Sequence, residues 1–386
     1  MIMNYILVID HIATGGAERI LIDYYHHLIS NGHNVTIFCL SGEQNQSKWT
    51  EGINVVYGSK GDENNLIRKT IQQIKLFFKL KKLSKTQKAD IIFSFLEKSN
   101  LLTIAIPTNA KKIVSVHNVL SIQYTKIKSS LTRKIVYKMI QWGYNHCTNV
   151  ITVSKQVKDD LIDSFKVKPE NIRIINNYVD KNVIQIKAQE NIDNYIFEKN
   201  IRYIINIGRF SDQKAQWKLL KAYKVALDSG LQNTKLILMG HGEYTNELKQ
   251  LTVDLSISDN VDILPFNINP YKYMNKAHLF VLSSIFEGFP IVLAEVSSLG
   301  IPFIGSRKSI PEEMFDNNLI WEQCIFDISN KTKDFTTKIN EDEILLSKLI
   351  IKGIEDDIFR QKIKEHTAKW ELNNHKCQQF NLYDTI

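Results

Sequence analysis

Short apolar runs alternate along the chain with longer stretches in which apolar positions recur every three or four residues. Asn4–Asp10 is a nearly unbroken apolar run of the length of a buried strand, and it passes through a glycine turn into Ala17–Ser30, whose spacing is helical. Asn34–Leu40 reads as the next strand. Ile91–Leu96, Ile113–Val116 and Val150–Val153 follow, each trailed by a helical pattern. Residues 181–199 are polar and weakly periodic and read as a linker. The alternation then restarts: Tyr203–Ile207 strand, Lys214–Ser229 helix, Lys235–Met239 strand, Gly242–Val253 helix, Val261–Leu264 strand, Pro270–Lys276 helix. Next come a strand at Phe280–Ser284, a helix from Pro290 to about Leu299 and a strand at Ile301–Ser306, with helices beyond Glu341. Strands alternating with helices predict an α/β protein with two doubly wound parallel sheets, in residues 1–180 and 200–364. Such sheets bind ligands beyond the carboxyl ends of their strands, and the cleft between two of them is the expected site.

A length of 386 residues suits two domains better than one core. No apolar run approaches the ~18 residues that span a bilayer, and the opening MIMNYILVIDHIATGG lacks the basic and small-residue features of a signal peptide. Four scattered cysteines without zinc spacing predict cytosolic free thiols and no metal site. Charge is placed unevenly: residues 1–180 hold 24 Lys/Arg against 14 Asp/Glu, whereas 181–386 hold 25 against 27. The first half therefore faces something anionic. Segment 66–88 has eight basic residues and no acid, with Ile67, Ile71, Ile74 and Phe78 on one helical face. That face either packs on the core with a solvated basic back, or the segment meets anionic lipid headgroups or a lipid-pyrophosphate. Segment 126–138, with Lys128, Arg133 and Lys134, points the same way. Nucleic acid is disfavoured, because no stacking motif, zinc finger or helix-turn-helix signature occurs.

Candidate chemistry concentrates after three strands. Glu287-Gly288-Phe289-Pro290 forms a turn before a helix that carries Glu295 among apolar neighbours. Gly288 permits close backbone approach, Pro290 suits a first helical position, and the helix amides favour anionic or polar oxygens. A buried carboxylate such as Glu295 needs a partner, and a lone one is most often simply paired with a cation. Arg209 and Lys214 follow the strand Tyr203–Ile207, where a diphosphate would meet a planar fork and a mobile point charge. Gly240 and Gly242 end another strand. Gly15 and Gly16 sit between the first strand and helix, and His117 ends a strand from which it can reach a ligand. Without G-x-G-x-x-G after the first strand, or G-x4-G-K-[ST] anywhere, dinucleotide and P-loop readings lose their support.

The E-G-F-P turn followed by Glu295 resembles the E-x7-E signature of the retaining nucleotide-sugar glycosyltransferases of family 4. Gly208–Lys214 is similar to the family's G-R-x4-K-G element, with Ala215 in place of the second glycine. Gly240-His241-Gly242 with Leu248 is similar to its G-x-G-x5-L turn, and GGAERILIDYYHHLISNGHNVTIF to its opening. The resemblance implies two Rossmann-like domains facing across a cleft, the GT-B arrangement, with 365–386 crossing back onto the first domain. It implies a UDP-sugar as donor and no metal or other cofactor. Arg209 and Lys214 would hold the diphosphate, Glu295 the ribose and Glu287 the sugar. His117 would donate a hydrogen bond to the donor sugar and leaving group. Gly15, Gly16, Gly240, Gly242, Gly288, Phe289, Pro290 and Ile291 would complete the donor site. Ser94–Asn100 is similar to an S-F-L-x3-N segment of bacterial members that add N-acetylhexosamines to lipid-linked glycans. The expected protein is a cytoplasmic transferase, peripheral at the inner membrane face, acting on a polyprenyl-diphosphate-linked glycan in surface polysaccharide assembly. The rivals are a sugar-nucleotide epimerase of the same fold, which needs no acceptor, and a non-catalytic partner subunit.

Overall fold

The apolar runs of the first half become the middle of a seven-stranded parallel sheet in the computed structural model, which describes residues 1–12, 15–42, 52–60 and 66–373. The strands are β1 (Asn4–Ile9), β2 (Asn34–Ser41), β3 (Val55–Ser59), β4 (Ile91–Phe95), β5 (Lys111–Val116), β6 (Asn149–Thr152) and β7 (Ile172–Ile174). Their order is β3-β2-β1-β4-β5-β6-β7, so the direction of winding reverses between β1 and β4. β1 and β4 are buried almost throughout, as strands covered by helices on both faces must be. The edge strands β3 and β7 stand out less in the sequence because they are short and partly solvated.

The helices of this unit are α1 (Gly16–Ser30), α2 (Leu66–Thr86), α3 (Glu97–Ala105), α4 (Leu120–Gln123), α5 (Ser130–His146) and α6 (Lys155–Phe165). Leu76 and Leu80 of α2 join Leu102 and Ile106 near α3 in one cluster over β1, β2 and β4. Gly143 of α5 lies against Ile104 of α3, so α3 stands between α2 and α5 in one layer. The core-facing reading of Ile71, Ile74 and Phe78 is therefore corrected: they are 47%, 52% and 61% exposed. The helix carries two apolar stripes, and the one containing Leu76, Leu80 and the buried Ser84 is the stripe that meets the sheet. The side chain of Ile67 lies outside the described residues.

The second unit begins at Asn177. Its first helix, α7 (Lys181–Ala188), occupies much of the segment expected to be a linker. The Asp180 side chain accepts from Val183 N at 3.2 Å, and Asn269 donates to Lys187 O at 2.8 Å, tying α7 into the unit. The pattern misleads because Val183 and Ile186 are exposed, while only Ile184 and Ala188 are buried. The six strands are β8 (Arg202–Ile207), β9 (Thr234–Met239), β10 (Val261–Leu264), β11 (Leu279–Leu282), β12 (Phe303–Ser306) and β13 (Ile325–Phe326), in the order β10-β9-β8-β11-β12-β13. Here the winding reverses between β8 and β11. The helices are α8 (Gln216–Asp228), α9 (Thr245–Asp254), α10 (Tyr271–Met274), α11 (Ile291–Ser298), α12 (Asn318–Cys324), α13 (Glu341–Glu355) and α14 (Asp357–Asn373). Helix α14 packs within this unit, on α11, α12 and α13; the remainder of the crossing expected for 365–386 lies outside the described residues.

A buried ion network fixes α13 to α8. Lys218, whose side chain is 2% exposed, contacts Asp342 at 2.8 Å and Glu343 at 3.1 Å, and Lys221 meets Asp334 at 2.8 Å. Two buried lysines on one helix would be costly without these carboxylates.

Candidate active site

Two of the residue groups singled out by sequence meet at the switch point of the second sheet. Gly208 and Arg209 follow β8, Ser283–Pro290 follow β11, and the two strands are neighbours. Ser283 Oγ donates to Lys214 O at 2.8 Å, and Ile285 N donates to Gln213 O at 2.7 Å, so the two turns are stitched together. Lys214 Nζ then reaches Glu287 Oε1 at 2.6 Å. Gln213 Nε2 supports the other Glu287 oxygen at 3.3 Å and also donates to Phe286 O at 3.0 Å. Gln213 was not read from sequence, although it sits beside Lys214 in the same short element.

The glycines have steric reasons. A Cβ on Gly240 would collide with Gly208 O, and one on Gly242 with the Phe210 backbone, to which it is bridged. Without those glycines the turns after β8 and β9 could not lie side by side. Ala215 adopts φ 47°, a left-handed conformation that explains why glycine is expected at this place. It caps α8 from a fully buried position, so the replacement keeps the turn at the cost of backbone strain.

Pro290 stands one position earlier than expected, at the N-cap of α11 rather than inside it. Asn177 Nδ2 donates to Phe289 O at 3.0 Å, and the Phe289 ring packs on Trp370 of α14 at 5.6 Å. The Phe289 side chain is thus buried support for the turn. Gly288 and Pro290 are also buried, and Ile291, the first residue of α11, is partly exposed. Glu295 lies one helical turn further on, 8% exposed, and accepts a hydrogen bond from the Tyr271 hydroxyl at 2.8 Å. That donor is a neutral phenol from α10. Tyr271 carries no chemical signature of its own in the sequence and was missed.

The other candidates belong to the first unit. His117 follows β5 directly, with Nε2 at 3.0 Å from Ser115 Oγ and its ring 5.9 Å from that of Phe95. Burial pushes its pKa down to about 4, so the ring is neutral at physiological pH, suited to hydrogen bonding rather than to carrying charge. Gly15 is the N-cap of α1 and Gly16 its first residue. Glu18 folds back over Gly15 so closely that a Cβ there would clash with its carboxylate.

Comparison with known proteins covers nearly the same chain. Residues 14–183 match the family model for Glycosyltransferase Family 4, and residues 187–370 match that for Glycosyl transferases group 1. A Campylobacter jejuni N-acetylgalactosamine-N,N'-diacetylbacillosaminyl-diphospho-undecaprenol 4-alpha-N-acetylgalactosaminyltransferase is 28% identical, over 81% of this chain and 83% of that one. A second transferase of that organism, which adds alpha-1,4-N-acetyl-D-galactosamine to a GalNAc-containing diNAcBac-PP-undecaprenol, is 25% identical over 98% and 95%. The crystal structure of Anabaena HepE in complex with UDP superposes with a TM-score of 0.75 at 17% identity, covering 99% of this chain and 98% of that one.

Proposed function

The chain belongs to the glycosyltransferases that these two family models describe, with the GT-B fold, and we propose that it transfers a hexose or N-acetylhexosamine, with retention, from a UDP-sugar to a polyprenyl-diphosphate-linked glycan. The observation that carries this reading is the Lys214–Glu287 contact between the two turns that end β8 and β11, with Arg209 in the same turn as Lys214. A donor diphosphate bound there meets Arg209 and Lys214. As the bond from the anomeric carbon to the diphosphate oxygen breaks, the acceptor hydroxyl oxygen bonds to that carbon from the same face, and its proton passes to the departing phosphate. The growing charge on the diphosphate is stabilised by the two cations, with no ionisable side chain required to exchange a proton. Glu287, already positioned by Gln213 and Lys214, takes the sugar hydroxyls, and Glu295 takes the ribose. Neutral His117 serves as a hydrogen-bond donor.

The lipid-linked acceptor is supported by the relatives named above, whose acceptors are undecaprenyl diphosphates. No helix among the described residues is long and apolar enough to cross a membrane. Membrane access is supported instead by α2 and α5, whose outward faces combine apolar and basic residues. On α5, Leu131, Ile135, Met139 and Trp142 are 70%, 52%, 41% and 60% exposed, with Lys134 and Lys138 also exposed among them. We place the protein at the cytoplasmic face of the membrane on this basis.

The experiment is a thermal-shift panel of nucleotide diphosphate sugars, because a ligand that binds only the folded chain raises its stability by about 2.7 kcal/mol at a hundred times Kd. UDP and one UDP-sugar should raise Tm, and radiolabelled sugar should move from that donor to a polyprenyl-diphosphate-linked N-acetylhexosamine. Conversion of the donor to an epimer without acceptor would replace this reading with the isomerase. Binding without any turnover would replace it with the partner subunit.

A further inference from the structure

One carboxylate at the switch point of the first sheet has no task in the transfer as described. Glu97 opens α3 directly beyond β4, and Asp10 follows the neighbouring strand β1. The winding reverses between these two strands, so both carboxylates stand where doubly wound sheets receive ligands. The backbone that presents Glu97 is strained: Leu96 has φ 72° and ψ 160°, a conformation that non-glycine residues rarely adopt. Such strain persists where the surrounding structure enforces it, often at binding sites.

The surrounding structure here is the segment Ser94–Asn100. Ser94 Oγ donates to Asn100 Oδ1 at 2.7 Å, and Asn100 Nδ2 donates to Ser115 O at 2.9 Å and to the Tyr144 hydroxyl at 3.3 Å. Ser99 donates to Asp10 Oδ1 twice, from its amide at 2.8 Å and its hydroxyl at 2.6 Å. The segment's serines and asparagine are therefore anchors that hold the start of α3 against β1, β4 and β5.

Glu97 is the exception. It is 7% exposed; Oε2 accepts a hydrogen bond from Gln123 Nε2 at 3.4 Å, and Glu97's own backbone amide also stabilises the carboxylate. Among the described residues, Glu97 Oε1 is buried with no hydrogen-bond partner, and so is Gln123 Oε1. Two neighbouring side chains thus each bury an acceptor oxygen that lacks a donor, and each such group costs about 1–3 kcal/mol. Donors arriving from a ligand would recover that cost.

We propose that Glu97 and Gln123 form a sugar-binding site at the β1/β4 switch point, in which two adjacent donor groups of a glycan hydrogen-bond to Glu97 Oε1 and Gln123 Oε1. The donors are two hydroxyls, or one hydroxyl and an acetamido N–H, since each can place a proton on either oxygen. Taking this sugar to be part of the acceptor rests on the transferase reading; the site itself does not. Burial pushes the Glu97 carboxyl up to about 7, with Asp10 adding to the effect, so its ionisation falls within an accessible range. Asp10, whose pKa burial also raises, and the phenols Tyr124 and Tyr144 are the titratable groups that face it; both phenols stay protonated near neutrality.

The test is saturation-transfer NMR on the full chain with methyl α-N-acetylglucosaminide and methyl α-glucoside, without donor or turnover. Wild-type protein should give a signal with at least one glycoside, strengthening from pH 6 to pH 8 as Glu97 ionises. Glu97→Gln should weaken binding about tenfold, the effect of one charged hydrogen bond, and flatten the pH response. Gln123→Leu should weaken binding while keeping the pH response. Circular dichroism and the UDP thermal shift should be unchanged in both variants. No signal from wild type, which is the outcome if these oxygens hold only water, or equal signals from wild type and Glu97→Gln, would overturn the site. Loss of the UDP shift in every protein, with the sugar signal intact, would instead sink the donor reading.

Discussion

Lys214 and Glu287 come from different turns, yet their charged atoms lie 2.6 Å apart, so each depends on the other for its place. Replacing Lys214 by Ala removes the cation proposed to face the departing diphosphate and should lower kcat by about 10²–10³, the scale of one electrostatic stabiliser. Glu295→Ala should act mainly on donor KM, since its proposed contact with the ribose is the same before and after bond breaking. Steady-state kinetics separates the two, and unchanged parameters in both variants would remove the assignment. Ala215→Gly should raise Tm, stabilising the chain by up to about 1 kcal/mol, because the left-handed backbone there penalises a Cβ. A lower Tm would show that methyl packing outweighs the strain. The residues with charge or special backbone freedom were legible in the sequence. Gln213, Tyr271 and Gln123 were not, because an uncharged polar side chain has no signature until its neighbours are known.

At the scale of elements, the joint between α8 and α13 is electrostatic and buried. Burial alone would raise the Asp342 carboxyl, but hydrogen bonds from Lys218, Ser329 and Asn330 bring it below its ordinary value. Asp334 is likewise opposed by burial and held down to about 2, chiefly by Lys221. A depressed carboxyl contributes stability that is complete above about pH 4 and lost as pH falls through the folded value. Denaturant titrations between pH 5 and pH 2 should therefore show a steep loss of stability in wild type. Lys218→Met should cost about 3–5 kcal/mol at pH 7, leaving two buried carboxylates uncompensated, and should reduce that acid dependence. A loss below 1 kcal/mol would mean that the network is dispensable.

The outward faces of α2 and α5 make a separate prediction, because their apolar residues should enter an interface that their lysines first attract. Phosphatidylglycerol vesicles should bind the protein in a salt-sensitive way, at about 1 kcal/mol per engaged lysine. Ile135→Ser with Trp142→Ser should reduce the binding that survives high salt. Equal binding to phosphatidylcholine vesicles, or by wild type and the double variant, would count against it. Period alone could not assign these faces, since α2 has apolar residues on two sides and only the position of the sheet decides between them.

For the whole molecule, each unit has its own sheet and its own switch point, and the residues proposed to hold the donor, Arg209, Lys214, Glu287 and Glu295, all belong to the second. UDP should therefore slow hydrogen exchange most strongly at the turns after β8 and β11, and protection confined to the first unit would contradict the site. The order of the central strands and the helices between them, the repetition of that order and the identity of the cations and carboxylates were determined by the sequence alone, because periodicity and residue chemistry are local properties; the short edge strands β3, β7 and β13 were not. The tertiary structure decided which stripe of α2 is buried, that α7 is part of a unit rather than a linker, and that Phe289 supports a turn from within. It also decided that Glu97 and Gln123 bury two oxygens with no donor among the described residues. Partnership is a property of atoms distant in the chain, and only folding brings those atoms within hydrogen-bonding distance.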